Sequence, residues 1–334
     1  MGGPCYLPPR ARTASAAAPG HPARLWREDE ELRQFRDKAV LAAAERLRDS
    51  GGWEAYREPF AAAHGFFHAS GDEADRALLQ AMIRYLVRSL FERCVAGCDP
   101  SLRQRLVVQR RMIEPIAAIV REPVYKGDYR SPGDADLRAC GVVPLTTPTF
   151  TRPVLFLDTS LQPRARAEER MVGNGFVNEL ECEWVASACR RYERELRLLG
   201  GPRVTVSVLC FDAAQAREVR RLLGAPRFAG FHRLGFQVID AVDRIQGQES
   251  DLVFLTFGRT HFGRPGPLFG QWLQDLRRLN VACTRAHRAL VFVGQKRMLE
   301  RLCSSPESQA FYAHLLGLFA AHPESMQVVQ DYRG

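Results

Sequence analysis

The residues of this chain that are best suited to chemistry are arginines gathered around a predicted buried strand. Four of them occur within "LRRLNVACTRAHRALVFVG", residues 276–294. A guanidinium group keeps its charge at physiological pH and presents a planar fork of donors that matches the oxygens of a phosphate group. We therefore expect phosphate chemistry at the mouth of this strand. The four residues are Arg277, Arg278, Arg285 and Arg288.

The elements that must position these arginines alternate between strands and helices. Continuous apolar runs predict buried strands, and two amphipathic stretches predict helices, the second with Asp212 at its N-cap. Such alternation indicates a parallel sheet covered on both faces, so we predict a doubly wound α/β domain over roughly 106–300. The strands are predicted at 153–160, 203–211, 236–242, 251–257 and 288–294, and the helices at 178–200 and 212–223.

Ligands of open parallel sheets bind at the carboxyl ends of the strands. Besides the arginine stretch, we expect two polar segments at such ends, 107–115 and 241–257. In the second segment Gly247 stands just before a buried strand, where a glycine lets backbone amides approach a phosphate or ribose. An ordinary turn leading into a strand is the alternative interpretation of this glycine.

Composition limits the class of protein. With 334 residues, 46% hydrophobic and 25% charged, the chain is typical of a soluble globular protein. It contains no apolar run of the about 20 residues that span a bilayer and no signal peptide, so we expect an intracellular protein of the cytoplasm or nucleus without a membrane role. Its nine cysteines, an odd number without paired spacing, favour buried thiols over disulfides; the pair Cys94 and Cys98 is interpreted in the same way rather than as zinc ligands.

The charge of the chain suggests a polyanionic partner. The formal net charge is +9, and nucleic acid is the simplest partner for such a charge. Only three of the basic residues are lysines, at Lys38, Lys126 and Lys296, so GC-rich codon usage is a competing explanation for the excess of arginine.

A combination of motifs is more specific than any of its parts. "VDRIQGQESDLVFL" (242–255), followed by "RRLNVACTRA" (277–286) and "LVFVG" (290–294), resembles motifs V and VI of superfamily 1 helicases of the RNA-decay and Okazaki-fragment-processing type. The resemblance covers roughly 89–300 and implies the second of two RecA-like, P-loop NTPase-type lobes. Further segments are similar to the same family: "SLFERC" (89–94), "LVVQRRMIEPIAAIVREPVYKGDY" (106–129), "FVNELEC" (176–182) and "VLCFDAAQA" (208–216).

The resemblance implies roles for individual residues. Arg285 would be the arginine finger and Arg111 a second contact to the γ-phosphate. Alternatives remain for some positions: Arg277 and Arg278 as a solvated helix face beside Asp275, Gln215 as an exposed helix residue, and Asp243 as a cap of the turn before Gly247. Residues expected at the nucleotide are Gln109, Gln246, Gly247, Glu249 and Arg278. Residues expected at nucleic acid or in coupling are Gln215, Asp243, Thr256 and Asn280.

The chain also departs from the family pattern. "GGPCYLPP" (2–9) resembles motif III with Gly3 and Tyr6 at altered positions, although a proline-rich tail is the alternative. Arg110 replaces a tyrosine that the family uses beside adenine, and Ile113 and Glu114 replace His-Pro. We predict four segments: a loop with a degenerate motif III (1–25), a helical insertion (26–88), the second RecA-like lobe (89–300) and a C-terminal helical tail (301–334).

The Walker A pattern G-x-x-x-x-G-K-[ST] does not occur around any of the three lysines. We therefore expect the C-terminal lobe of an ATP-dependent nucleic-acid helicase, inactive as this chain alone. ATP and Mg²⁺ would be used only with a first lobe that a separate chain or a longer polypeptide supplies, and single-stranded DNA or RNA would be the substrate. The alternative is a degenerate, non-catalytic module that binds nucleic acid or protein.

Overall fold

The computed structural model describes residues 94, 98–104, 106–173, 175–226, 230–245, 247–260, 273, 275–301 and 306–332. The predicted motif III loop (1–25), the predicted helical insertion (26–88) and Gln246 lie outside these residues. The chain divides into two compact units, Met1–Arg105 and Leu106–Gly334. The described part of the first unit contains a single 3-10 turn, Pro100–Leu102, whose preceding Asp99 accepts a hydrogen bond from the Ser101 amide at 2.8 Å.

A six-stranded parallel sheet forms the centre of the second unit, with the strand order β5-β4-β6-β7-β1-β8. All five residues of the first strand are buried, as the continuous apolar run predicts. A separate antiparallel pair, β2 with β3, lies outside this sheet. The strands are β1 (Val154–Asp158), β2 (Arg170–Val172), β3 (Gly175–Val177), β4 (Val204–Cys210), β5 (Leu234–Ala241), β6 (Ser250–Thr256), β7 (Ala286–Gly294) and β8 (Met326–Val329).

Helices cover both faces of the sheet. Alternate residues of β1 enter different hydrophobic clusters: Val154 and Phe156 pack with α1, α6 and α8, whereas Leu155 and Leu157 pack with α4 and α5. This arrangement confirms the predicted doubly wound α/β fold of a RecA-like lobe. The helices are α1 (Glu114–Tyr125), α2 (Asp134–Ala139), α3 (Arg164–Ala167), α4 (Glu179–Leu198), α5 (Ala213–Gly224), α6 (Leu276–Cys283), α7 (Lys296–Arg301) and α8 (Pro306–Ala321).

The predicted N-cap position of α5 is confirmed, but the side chain there does not cap the helix. Asp212 occupies the N-cap position, but its side chain makes no capping hydrogen bond. Its carboxylate instead accepts from Arg259, with Nε at 2.9 Å and Nη2 at 2.8 Å from Oδ2. The ion pair competes successfully because both side chains are largely buried, so an unpaired Arg259 charge would be costly there.

The C-terminal segment contains more than the predicted helical tail. Helix α8 lies in it, but residues 326–329 form strand β8, which extends the sheet beside β1 with Val154 opposite Met326. Met326 is buried, and its neighbour Gln327 is exposed. Four residues, one of them polar, are too short a run to predict a strand. No described helix is both long and apolar enough to cross a membrane.

The cysteines of the described part are all free. Burial raises the pKa of the Cys283 thiol to about 12, so that this thiol stays protonated and packs as an apolar group. Cys94 and Cys140 are exposed, so the expectation of buried thiols is wrong for these two. The buried cysteines are Cys182, Cys189, Cys210 and Cys283.

Candidate functional site

Arg111 and Arg285 meet at the amino edge of the sheet. Arg285 directly precedes β7, and its carbonyl accepts a hydrogen bond from the amide of Ser250, the first residue of β6, at 2.9 Å. Arg111 precedes α1, and its Nη1 lies 3.5 Å from the Thr284 carbonyl oxygen. Burial and the nearby positive charge of Arg111 both lower the pKa of Arg285. The two guanidinium groups therefore lie close enough for their charges to interact.

Glu249 is the carboxylate that lies between these cations and a histidine. Its Oε1 forms an ion pair with Nε of Arg111, and its Oε2 lies 2.8 Å from Nε2 of His287. Both carboxylate oxygens are thus engaged. The three side chains remain partly exposed, at 38% for Arg111, 30% for Glu249 and 29% for His287. The cluster is therefore accessible to an anion from solvent.

Helix α6 holds Arg285 in place by its last carbonyl groups. Arg285 Nε donates to the Val281 carbonyl at 3.1 Å, and Nη2 donates to Thr284 Oγ1 at 3.3 Å. Thr284 Oγ1 in turn donates to the Asn280 carbonyl at 2.7 Å. A cation beside the final carbonyls of a helix is favoured by the helix dipole. The sequence "NVACTR" therefore fixes the direction of the guanidinium locally.

Two tyrosines form an aromatic wall beside the arginines. The rings of Tyr125 and Tyr129 stack with centroids 4.2 Å apart and planes 9° from parallel. Lys126, with φ 54°, and Gly127, with φ 82°, turn the chain back after α1 so that the rings can meet. Burial raises the pKa of Tyr129, and its neighbour Tyr125 adds to this, whereas the charges of both arginines oppose it.

Asn280 extends this wall from α6. Its Nδ2 donates to the Tyr125 hydroxyl at 3.2 Å. Its Oδ1 is buried without a hydrogen-bond partner among the residues that the structure describes. Asn280 therefore lies next to the arginine cluster rather than at the opposite edge of the sheet.

Gln109 orients the turn that carries Arg111. Its Oε1 accepts from the amides of Arg111 and Met112, both at 2.9 Å, and its Nε2 donates to the Met112 carbonyl at 2.8 Å and to Ser131 Oγ at 2.7 Å. The side chain is buried. Its amide group is thus occupied within the protein, and its contribution to the site acts through Arg111.

Arg278 and Asp243 bind each other. The contact is bidentate, with Arg278 Nε 2.8 Å from Asp243 Oδ1 and Nη2 2.7 Å from Oδ2, and the guanidinium also lies over the Phe211 ring at 5.6 Å. Arg278 is buried, so the solvated-face interpretation is wrong for it. Arg277 is exposed, and its backbone amide donates to Asp275, the N-cap of α6, at 2.9 Å.

A second cluster lies at the carboxyl ends of β4 and β6. Gln215 Nε2 donates to Thr256 Oγ1 at 2.9 Å, and Gln215 Oε1 accepts from the Asn178 amide at 2.8 Å. Gln215 and Thr256 are both fully buried, so the interpretation of Gln215 as an exposed helix residue is wrong. Thr256 Oγ1 donates to Glu181 Oε2 at 2.5 Å, and the Gly258 amide donates to the same oxygen at 2.7 Å.

Glu181 is an important residue of this second cluster, and sequence reasoning assigned it no chemical role beyond its place in a motif. It is fully buried, and its Oε1 has no hydrogen-bond partner within the described part of the chain. Burial raises its pKa to about 8, against the opposing hydrogen bonds from Thr256 and Gly258, with a contribution from the charge of Glu169. The signal in the sequence was a glutamate at an inward position of the amphipathic helix α4.

The residues predicted for the site thus separate into two groups, one at the amino ends of the strands and one at their carboxyl ends. The expectation of a single site at the carboxyl ends is wrong for Glu249 and Arg285, because each directly precedes its strand. Gly247 adopts φ 82°, a backbone conformation that favours glycine, before β6. Within the described residues, no group of three or more His, Cys, Asp or Glu side chains could hold a metal ion.

Comparison with known proteins identifies the family of this domain. A family model described as an AAA domain matches residues 86–297. The chain belongs to this family. Its relatives show that the domain is of the superfamily 1 helicase type.

Three relatives illustrate the match. A regulator of nonsense transcripts 1 homolog of Drosophila melanogaster is 29% identical over 240 residues, which are 70% of this chain and 18% of the relative. An uncharacterized ATP-dependent helicase of Methanocaldococcus jannaschii is 35% identical over 100 residues, 30% of this chain and 13% of the relative. A DNA replication ATP-dependent helicase/nuclease of Mus musculus is 28% identical over 163 residues, 49% of this chain and 14% of the relative. The matched segment is thus less than a fifth of each relative.

Proposed function

We propose that this chain supplies the second lobe of an ATP-dependent superfamily 1 nucleic-acid helicase, with Arg285 as the arginine finger and Arg111 as a second contact to the γ-phosphate of ATP. The observation that carries the proposal is the convergence of these two guanidinium groups on one partly exposed spot, with Glu249 as the neighbouring carboxylate.

The electrostatics of the cluster support an anionic ligand. Two cations beside one carboxylate leave a positive charge of one, and like charges placed close together cost free energy unless an anion joins them. Because the α6 carbonyls already orient Arg285, little reorganisation is needed when charge develops on a transferring phosphoryl group. An arginine finger contributes on the order of 10³- to 10⁵-fold to the rate of such reactions.

In this proposal a first lobe binds ATP and Mg²⁺. The sequence contains no G-x-x-x-x-G-K-[ST] pattern, so a separate chain or a longer polypeptide would provide that lobe. Single-stranded DNA or RNA would be the substrate. The net charge of +9 supports this, as do the names of the relatives, one of which is a DNA replication helicase/nuclease.

ATP hydrolysis tests the catalytic part of the proposal. The assay compares the purified chain with a fusion in which residues 86–332 replace the corresponding segment of the Drosophila relative. We expect no hydrolysis by the chain alone, hydrolysis by the fusion, and a loss on the order of 10³-fold in the fusion with Arg285→Ala. Arg285→Lys is the matched control, because it keeps the charge but loses the fork of donors.

Two results would contradict the proposal. Hydrolysis by the chain alone that Arg285→Ala abolishes would show that no further lobe is required. Unchanged hydrolysis by the fusion after substitution of Arg285 or Arg111 would instead favour a non-catalytic binding module.

Nucleic-acid binding is measured separately, by fluorescence anisotropy with single-stranded DNA and RNA oligonucleotides. We expect affinity that falls steadily as salt is raised, since phosphate contacts release counterions. A lack of binding to both oligonucleotides at low salt would remove nucleic acid from the proposed substrates.

A further inference from the structure

His287 lies beside the arginine site, although the helicase resemblance gives it no role. Its Nε2 lies 2.8 Å from Glu249 Oε2, while Arg111 occupies the other oxygen of the same carboxylate. Its backbone carbonyl accepts from the Ile113 amide at 3.0 Å, two residues beyond Arg111. His287 is also two residues beyond Arg285 along the chain. It is thus tied to the turn of Arg111 and to the start of β7.

The surroundings of His287 restrict what its charge can do. Glu249 lies beside His287, and Arg111 pairs with the same carboxylate. Arg285, Tyr125 and Tyr129 are the other titratable groups that interact electrostatically with this ion pair. Arg288, the next residue, is directed elsewhere: its Nε donates to the Val143 carbonyl at 2.9 Å, and its Nη1 lies 3.7 Å from Asp251. Glu249 is therefore the anion that His287 shares with Arg111.

We infer that His287 is a positioning residue that determines how strongly Glu249 holds Arg111, and hence how strongly the site attracts a polyphosphate. This inference rests on the proposed function of the arginine pair. With a neutral imidazole, Glu249 balances Arg111, and the cluster of two arginines and one carboxylate carries a charge of +1. With a protonated imidazole, two positive side chains share the Glu249 carboxylate, and the charge of the whole cluster rises to +2. Arg111 is then held less firmly and is more available to an anion.

Histidine is suited to this role because its charge ordinarily changes between pH 5 and 8. The side chain of His287 is partly exposed, so protons can reach it from solvent. One added unit charge about 4 Å from a unit negative charge, at close to the dielectric of bulk water as suits a partly exposed site, corresponds to an affinity change on the order of fivefold.

The test measures binding of inorganic tripolyphosphate to the full chain at pH 6, 7 and 8 by isothermal titration calorimetry. We expect the wild-type affinity to increase from pH 8 to pH 6 on the order of fivefold more than that of His287→Gln. The glutamine retains a donor for Glu249 but does not titrate, so its pH profile is the baseline for the wild type. Changes in the protonation of tripolyphosphate itself affect both proteins equally.

Control variants separate the failure of this inference from that of the proposed function. Arg285→Ala should lose most of the binding, whereas Arg197→Gln, an exposed position on α4, should leave it unchanged. No binding by the wild type at any pH, or binding that Arg285→Ala preserves, would overturn the phosphate site itself. Site-dependent binding with identical pH profiles for wild type and His287→Gln would overturn only the role of His287.

A second measurement needs no substitution. If protonation of His287 favours the anion, the anion must favour protonation by the same factor. The midpoint of the His287 imidazole titration, followed by nitrogen-15 NMR, should therefore move to higher pH when tripolyphosphate is added. An unchanged midpoint in the presence of bound tripolyphosphate would contradict the inference.

Discussion

The buried carboxyl group of Glu181 predicts an unusual dependence of stability on pH. The perturbation is Glu181→Gln, which keeps an oxygen acceptor for Thr256 and Gly258 but removes the titrating proton. In the folded protein burial raises the pKa of this carboxyl group from its ordinary value of 4.5 to about 8. A group whose pKa is raised on folding stabilises the protein below its unfolded pKa, and this contribution is lost as the pH rises to the folded value.

The magnitude follows from these two values. Between pH 5 and pH 9 the folded state retains a proton that the unfolded state has largely released, over nearly three pH units. At about 1.36 kcal/mol per unit, the free energy of unfolding of the wild type falls by about 4 kcal/mol through this group alone. A glutamine at this position does not titrate and makes no pH-dependent contribution to the free energy of unfolding. We therefore expect the variant to approach the wild type in stability at low pH and to exceed it at pH 9.

The assay is urea unfolding followed by circular dichroism at pH 5, 7 and 9 and constant ionic strength. The quantity of interest is the difference in the free energy of unfolding between wild type and variant, because the other titrating groups contribute equally to both. Glu179→Gln is the matched control: this exposed glutamate on the same helix pairs with Arg170 at 2.7 Å, and its loss should cost less than about 1 kcal/mol. Parallel pH profiles for wild type and Glu181→Gln would refute the reasoning.

Three further substitutions test separate contacts. Gln109→Ala should lower the free energy of unfolding by about 1 to 3 kcal/mol, because the amides of Arg111 and Met112 lose their acceptor. The same substitution should weaken tripolyphosphate binding in calorimetry. Unchanged binding would contradict the role of Gln109 in orienting Arg111. Asp243→Asn should lower the free energy of unfolding in urea by about 1 to 2 kcal/mol, because the buried Arg278 loses its ion pair; the effect is moderate because the aspartate itself is exposed. An unchanged urea midpoint would show that Arg278 needs no anionic partner. Gly258→Ala should cost about 1 to 3 kcal/mol in thermal unfolding, since φ is 66° and the added Cβ would lie 3.3 Å from Gln215; a neutral result would contradict the strain.

The parallel sheet was predictable because its central strands are continuous apolar runs. The segments 153–160 and 203–211 each contain an observed strand, and 251–257 overlaps β6 in all but its first residue. The alternation of residues such as Val154 and Leu155 between two hydrophobic clusters follows from the period of a strand. Strand β8 was missed because its four residues gain their burial from β1, a neighbour about 170 residues away in sequence that no local pattern reveals.

The functional roles of the site residues stay a prediction, and the sequence did not reveal that these residues lie in two separate groups. The family motifs contain Arg111 and Arg285. The expectation of a single site at the carboxyl ends of the strands failed because β5 and β6 run in the same direction. The chain therefore returns from the carboxyl end of β5 to the amino end of β6 before Glu249. The burial of Gln215 depends on Asn178 and Thr256, which come from distant segments. His287 lies at a position that the motif leaves variable, and only the folded chain shows its contact with Glu249.

Helix α6 connects the carboxyl ends of the strands to their amino ends. Near its first turn Arg278 is bound to Asp243, which follows β5 at one edge of the sheet, and just beyond its last turn Arg285 stands at the other edge. About two turns of helix separate them, a span of on the order of 10 Å that resists compression. The helix therefore fixes the distance between the Asp243 turn and Arg285. The turn that carries Asp243 and the guanidinium group of Arg285 are thus joined by one short helix.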